Sequence, residues 1–465
     1  MHRLVQAVLQ DHMEEQTQRV WAERATGIVS EMFPDVELLH TWSQCQRYLP
    51  HARVCIGFID RWHLTSHQAL RLLMRTSGYL REQAQEAQAD ILAGLVVALQ
   101  SHSLEASSPD LITDFFSFMR HAYYQGKYHE AGELIREKVA RLEQTLGADH
   151  PDRIYLLIGQ AFFFQIEGKY IQAEVLYQQA LTIENVTFLY QRLALSEEER
   201  VGGVGLPHIG FVLSLLGQLS TALGNYQQAE TFFEQSGSIW DQYTTLKPHL
   251  FKGPYLHGFA LLSLIKSQHE KARDLLRQEQ TLLAEILGED HPIRADNTNA
   301  LAQLALSEGE YALAEVLLRH AQGLFEKTTG WNHPFAARTF HIWAKLSVVQ
   351  DDIGQAECHC QKALQISEQI CGGNHPDTAM IMKTLADIYR LQRRWAEAEL
   401  LYQRVLIIFE EAWGTIHPEN ATTLESYAEL LQMRDRAIEA EALRSQAQGI
   451  REEYALQNAS WAKIG

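Results

Sequence analysis

Gly288-Glu289-Asp290-His291-Pro292, Gly330-Trp331-Asn332-His333-Pro334, Gly372-Gly373-Asn374-His375-Pro376 and Gly414-Thr415-Ile416-His417-Pro418 recur at intervals of 42 residues. The same phrase stands once more at Gly147-Ala148-Asp149-His150-Pro151. Twenty-two residues after each proline comes an alanine: Ala173, Ala314, Ala356, Ala398 and Ala440. Pro109 with Ala131 and Pro207 with Ala229 keep that offset, and the less regular Ala89 and Ala272 bring the count to nine units. Successive alanines are 42, 42, 56, 43, 42, 42, 42 and 42 residues apart. A fixed period of this length is the mark of a repeat architecture.

Each unit reads as two antiparallel helices. Proline suits the first position of a helix, where its missing N–H has no intrahelical partner, and the histidine before it is placed to cap. The first helix runs to a turn such as Glu167-Gly168-Lys169-Tyr170, Gly224-Asn225-Tyr226 or Glu308-Gly309-Glu310-Tyr311, where glycine supplies a left-handed cap. The second helix carries apolar residues at helical spacing, as in Ala398, Leu401, Tyr402 and Val405. The small alanine lets the two helices approach closely. One pair cannot bury its own apolar face, so the pairs must stack.

These residues resemble tetratricopeptide repeats of the 42-residue kind found in kinesin light chains, through Gly-x-Tyr-x-x-Ala-Glu and the Gly-x-x-His-Pro junction. The resemblance covers residues 67–456 and implies an all-α fold, a right-handed α-α superhelix of about nine helix-pair repeats behind a short helical amino-terminal segment. Unit one departs with Glu86 at the turn tyrosine, unit five with His269 and unit seven with Ile353. The step of 56 predicts an insertion at about 185–206, an extended second helix followed by the loop Gly202-Gly203-Val204-Gly205. Residues 457–465 form a tail.

Residues 1–66 lack the repeat and read as helices at 1–12, 14–33 and 41–62, broken at Pro34-Asp35. Met1 to Leu9 resembles the end of the winged-helix segment of bacterial NB-ARC (STAND) signalling NTPases. Trp21-Ala22-Glu23-Arg24-Ala25, Phe33-Pro34-Asp35 and Trp42-x-x-Cys45 resemble the linker that joins it to a repeat-built sensor. The resemblance implies the ligand-sensing, carboxy-terminal portion of such a regulator, with the NTPase domain upstream and missing from this chain. A stand-alone scaffold or cargo adaptor is the alternative.

Several kinds of chemistry are excluded by composition and motif. The 465 residues hold 40 Lys+Arg against 58 Asp+Glu, a net charge of −18, which argues against nucleic-acid binding. Strictly apolar runs reach about nine residues, whereas a membrane span needs roughly 20, and Met1 to Leu9 is no signal peptide. The expectation is a cytoplasmic protein that binds no membrane. Five cysteines at irregular spacing give no disulfide framework, and Cys358-His359-Cys360 lacks the paired gaps of a zinc site. There is no phosphate-cradling Gly-x-x-x-x-Gly-Lys-[Ser/Thr], no Gly-x-Ser-x-Gly and no His-Glu-x-x-His. The reading is a non-enzymatic chain with no cofactor, no catalytic residue and no metal.

In tetratricopeptide superhelices the first helix of each pair lines the concave groove. Positions 15, 12, 8 and 5 residues before the turn tyrosine share one stripe of that helix. In units two to four the stripe holds Thr113, Phe116, Arg120, Tyr123, Tyr155, Ile158, Phe162, Gln165, Phe211, Ser214 and Gln218. In units five to eight it includes His257, Asn299, Gln303, Arg338, His341, Lys345, Lys383 and Arg390. An aromatic half thus meets a basic half. The candidate ligand is a protein or peptide in this groove, carrying an acidic segment that the basic half attracts.

Overall fold

The computed structural model describes residues 13–34, 42–82, 88, 92, 95, 99, 136, 153–183, 206–243, 252–286, 292–327, 331 and 333–461. Among them are seventeen α-helices and no strand. The chain forms two compact lobes, residues 1–118 with 247–249 and 286–288, and the remainder from 119 to 465.

In the first lobe, α1 (Glu15–Met32), α2 (Trp42–Trp62) and α3 (His67–Glu82) pack together. The expected helices at 14–33 and 41–62 are present; the one at 1–12 lies outside the described residues. Phe33, Ile59, Leu64 and Leu72 form a core in which none is more than 2% exposed. Arg71 and Arg75 on α3 reach back to the carbonyls of Ser30 and Phe33, at 3.3 and 3.0 Å, and satisfy the end of α1.

The second lobe is a run of helix pairs. They are α4 (Arg153–Ile166) with α5 (Tyr170–Ile183), α6 (Leu206–Ala222) with α7 (Tyr226–Tyr243), and α8 (Lys252–Ile265) with α9 (His269–Ile286). Then come α10 (Pro292–Ser307) with α11 (Tyr311–Lys327) and α12 (Pro334–Val349) with α13 (Ile353–Ile370). The last pairs are α14 (Pro376–Leu391) with α15 (Trp395–Trp413) and α16 (Pro418–Met433) with α17 (Ala437–Trp461). These are units three to nine. Unit one contributes α3 as its first helix; the rest of it and unit two fall largely outside the described residues, as does the insertion expected at about 185–206. The last helix runs through the expected boundary at 456.

The repeat residues do what their chemistry predicts. Ala173, Ala229, Ala272, Ala314, Ala356, Ala398 and Ala440 are all fully buried between paired helices. Pro292, Pro334, Pro376 and Pro418 each open a first helix. His333, His375 and His417 cap those helices, Nδ1 accepting from the backbone N–H of Phe335, Asp377 and Glu419 at 3.1–3.2 Å. His150 and His291 lie outside the described residues. Turns between paired helices place one residue at positive φ: Gly168, Gly224, Ser267, Gly309, Asp351, Arg393 and Asp435.

Two of these histidines have a second role. The Nε2–H of His375, in unit eight, donates to the Ile166 carbonyl at the turn of unit three, 2.9 Å away. His417 of unit nine does the same to the Ala222 carbonyl of unit four, at 3.0 Å. Rings reinforce both contacts. Tyr170 stacks on Trp413 with centroids 6.3 Å apart, and Tyr226 meets Tyr454 edge-on at 6.3 Å. The Tyr454 hydroxyl donates to the Gly224 carbonyl. Turns and His–Pro corners five units apart therefore touch. Each hydrogen bond or ring pair contributes about 0.5–1.5 kcal/mol, far less than the helix-pair interfaces they bridge.

Both nitrogens of His417 are satisfied only by the neutral ring. Burial lowers its pKa to about 4, against the opposing pull of Glu419 and the Ala222 carbonyl. The free imidazole titrates near 6.5, so between about pH 6.5 and 4 the unfolded chain gains a proton that the native chain refuses. Stability is complete above that window and falls as pH drops through it, by about 3 kcal/mol at roughly 1.4 kcal/mol per pH unit. Denaturant titrations at pH 7 and 4.5 should show His417→Ser losing about 2–3 kcal/mol less than the parent chain. Serine keeps the cap. Equal losses in both proteins would show that His417 is not the proton-refusing group.

Candidate functional site: a groove pocket and its buried charges

The helices that carry the predicted stripe build a small pocket, about 30 Å³ in volume and open to solvent. Its apolar wall comes from Phe162 on α4, Phe211 and Leu215 on α6, Pro254 on α8 and Ile293 on α10. These side chains fall on neighbouring first helices because the apolar period brings the same face round in every unit. Gln218 lines the pocket too, held by donating to the Pro254 carbonyl at 2.9 Å.

Its polar end is a buried charge cluster. His257 lies between two carboxylates, Nδ1 3.1 Å from Glu279 Oε2 and Nε2 3.3 Å from Asp296 Oδ2. Glu279 also accepts from the Asn297 side chain at 2.8 Å, and Asp296 is paired with Arg338 at 2.5 Å. Glu279 and Asp296 are 2% and 3% exposed, so each needs these partners. Burial alone would lower the pKa of His257, but Glu279 and Asp296 outweigh it and hold the ring in its charged form above the ordinary range. The carboxylates here are committed to cations and amides. The arrangement fixes charge in place and suits recognition.

The structure brings Phe162, Phe211 and His257 together around this pocket. Phe116, Arg120 and Tyr123 lie outside the described residues, as does the Tyr155 side chain. Asn299 is fully buried, donating to the Phe335 carbonyl and accepting from Thr339, so it joins neighbouring first helices instead of facing a ligand. Gln303 is exposed. His341 lies 2.8 Å from the Thr384 hydroxyl and is kept neutral by burial and by the charges of Lys345 and Arg338.

The basic half is largely neutralised from within. Besides Arg338 with Asp296, Lys383 pairs with Glu419 at 2.8 Å and Arg390 with Glu429 at 3.0 Å. Lys345 differs: among the described residues no carboxylate lies within ion-pair distance of it. Burial lowers its pKa, Glu419 and Asp387 raise it, and Lys383 lowers it further. Asp296 and Glu279 were not singled out in the sequence. Asp296 could have been found, since it precedes Arg338 by one 42-residue period. Glu279 sits on a second helix, outside the stripe.

Tetratricopeptide repeat models match residues 335–411 and 120–152. The chain contains tetratricopeptide repeats. Among solved structures it is similar to a Rap protein complexed with competence and sporulation factor. That likeness has 14% identity and a TM-score of 0.59, covering 83% of this chain and 99% of the other. It is also similar to kinesin light chain repeats from Podosopora anserina, with 23% identity, 43% and 94% coverage and a TM-score of 0.34. A third likeness is to a signal transduction ATPase with numerous domains, with a tetratricopeptide repeat sensor, from Pyrococcus horikoshii. There the identity is 13%, the TM-score 0.41, and coverage 88% of this chain and 54% of that one. No curated protein sequence matches. At these identities the Rap likeness is one of fold. Tetratricopeptide repeats as a class are protein-interaction scaffolds, and among the described residues no helix is long and apolar enough to cross a membrane. Nor do the described residues contain a metal-holding group of three or more His, Cys, Asp or Glu.

Proposed function

We propose that the chain is a non-enzymatic module that holds an extended protein or peptide segment along its first-helix groove. The observation that carries this reading is the pocket. It is apolar on its wall, opens on neighbouring first helices and ends in a buried charge cluster, which is the make-up of a side-chain anchor site. An apolar ligand side chain fills it. We further read the module as the ligand-sensing part of a STAND-type regulator whose NTPase lies outside this chain. Trp21 to Ala25 and the Phe33-Pro34-Asp35 junction support that reading.

The ligand's acidic requirement narrows. Arg338, Lys383 and Arg390 already have carboxylate partners, so one acidic group near Lys345 completes the charge pattern where a run of them would not. Partners captured from native lysate by a photo-crosslinker at Leu215 are the probe. Lys345→Glu should weaken capture about tenfold, as expected for a part-buried charge contact. Reversal of exposed second-helix cations, Arg319→Glu with Arg444→Glu, should leave it unchanged. Equal loss in both, or none in either, places the ligand elsewhere.

A further inference from the structure

We propose that the two His–Pro corners form a releasable clasp that shuts the groove between successive superhelical turns, so that its opening controls admission to the pocket. The two contacts repeat one chemistry at one offset: corner eight on turn three, corner nine on turn four. The turns that receive them differ from the others. A Cβ on Gly168 would collide with the Pro376 ring, and one on Gly224 would sit 3.1 Å from Pro418 Cδ. Among the described residues no other turn accepts from a His–Pro corner in this way, and at the remaining turns Ser267, Asp351, Arg393 and Asp435 occupy the same left-handed conformation. Gly309 is also left-handed, but open space surrounds it. Glycine at turns three and four is therefore required by the corner as well as by φ.

The clasp is mechanically tied to the pocket. Ile166, the first acceptor, ends α4 one helical turn beyond Phe162. Ala222, the second, ends α6, which carries Phe211, Leu215 and Gln218. Moving either turn away from its corner moves a wall of the pocket. Besides the corners and turns, α5 touches α15 and α7 touches α17 across the gap, through ring pairs such as Tyr170 with Trp413 and Tyr226 with Tyr454, a smaller junction than those within the helix pairs. Such a junction separates without unfolding a repeat, and the open form is a minor state that a partner can draw on.

The inference uses the groove reading above, but its test needs no ligand. In a Cys358→Ser background, Gln303→Cys places a thiol at an exposed groove position. Cys45, Cys55 and Cys360 are buried, and burial pushes the Cys371 thiol up to about 12, so background labelling is slow. N-ethylmaleimide reports that the thiol is present, and a bulky polyethylene-glycol maleimide reports access. Spin labels at Gln178 and Gln369, both exposed, report the separation of the two turns. Gly168→Ala with Gly224→Ala should lengthen that separation and speed the bulky reagent at least about tenfold, as a minor open state becomes populated. Gly309→Ala, equally strained in φ but facing open space, should change neither. His375→Ser with His417→Ser keeps both caps and removes both cross-turn donors, so it gives the same readout if the glycine variants fold poorly. An unchanged separation in the serine pair would overturn the clasp. A longer separation with an unchanged labelling rate would overturn its control of access. A failure of both alongside normal partner capture would leave the groove reading standing.

Discussion

Glu279→Ala should cost about 3–5 kcal/mol, the range for removing one partner of a buried ion pair. Glu279 accepts from Asn297 and from His257, and its side chain is 3% exposed. Truncation leaves His257 Nδ1 and one N–H of the Asn297 amide without their acceptor, while Asn297 still donates to the Leu276 carbonyl. Asp296 remains, but Arg338 already shares it. Glu279→Gln is the informative companion, since it keeps volume and one acceptor while removing the charge. The glutamine variant should recover part of the loss, and His257 should titrate lower in it by NMR. A midpoint shift under about 1 kcal/mol for the alanine variant would mean that the cluster is not a closed buried network.

Ala398→Trp should be the second large effect, about 3 kcal/mol or more, the upper end for overpacking. Ala398 is fully buried against Ala386, Tyr402, Ala428 and Ala440. Tyr402 cannot yield, because its hydroxyl donates to Asp387 at 2.6 Å. An indole there has to push α14 and α15 apart and break that bond. Hydrogen exchange should show the damage centred on units seven to nine, since repeat stability is mainly local. A melting curve that superimposes on the parent's would mean that the small-residue contact lies elsewhere.

Much of the fold was legible in the sequence because it is local. The 42-residue period, the His–Pro junction and the alanine each act within one unit, and helix starts at Pro292, Pro334, Pro376 and Pro418 follow from them. A stripe repeats with the helix, and Phe162 and Phe211 of the aromatic half line one pocket together with His257 of the other half. Partners were harder to read. Arg338, Lys383 and Arg390 share the stripe, but whether they face a ligand depends on Asp296, Glu419 and Glu429 in adjacent units. Periodicity reports which face a residue is on and says nothing of what stands opposite. The contacts of His375 and His417 span 209 and 195 residues, beyond any local pattern. Their trace in the sequence is indirect: glycine at turns three and four, where turns seven, eight and nine use Asp351, Arg393 and Asp435.

That offset of five fixes the arithmetic of the gene. Tandem repeats gain and lose copies by recombination, and a simple stack tolerates the change anywhere along its length. Here one copy added between units five and seven would carry Pro418 from Gly224 to the next turn, where Ser267 projects a side chain into its place. A copy added after unit nine would leave both corners in place, but its own corner would fall opposite turn five and Ser267. A steric match between two glycines and two prolines therefore opposes a change of copy number in the middle of the array.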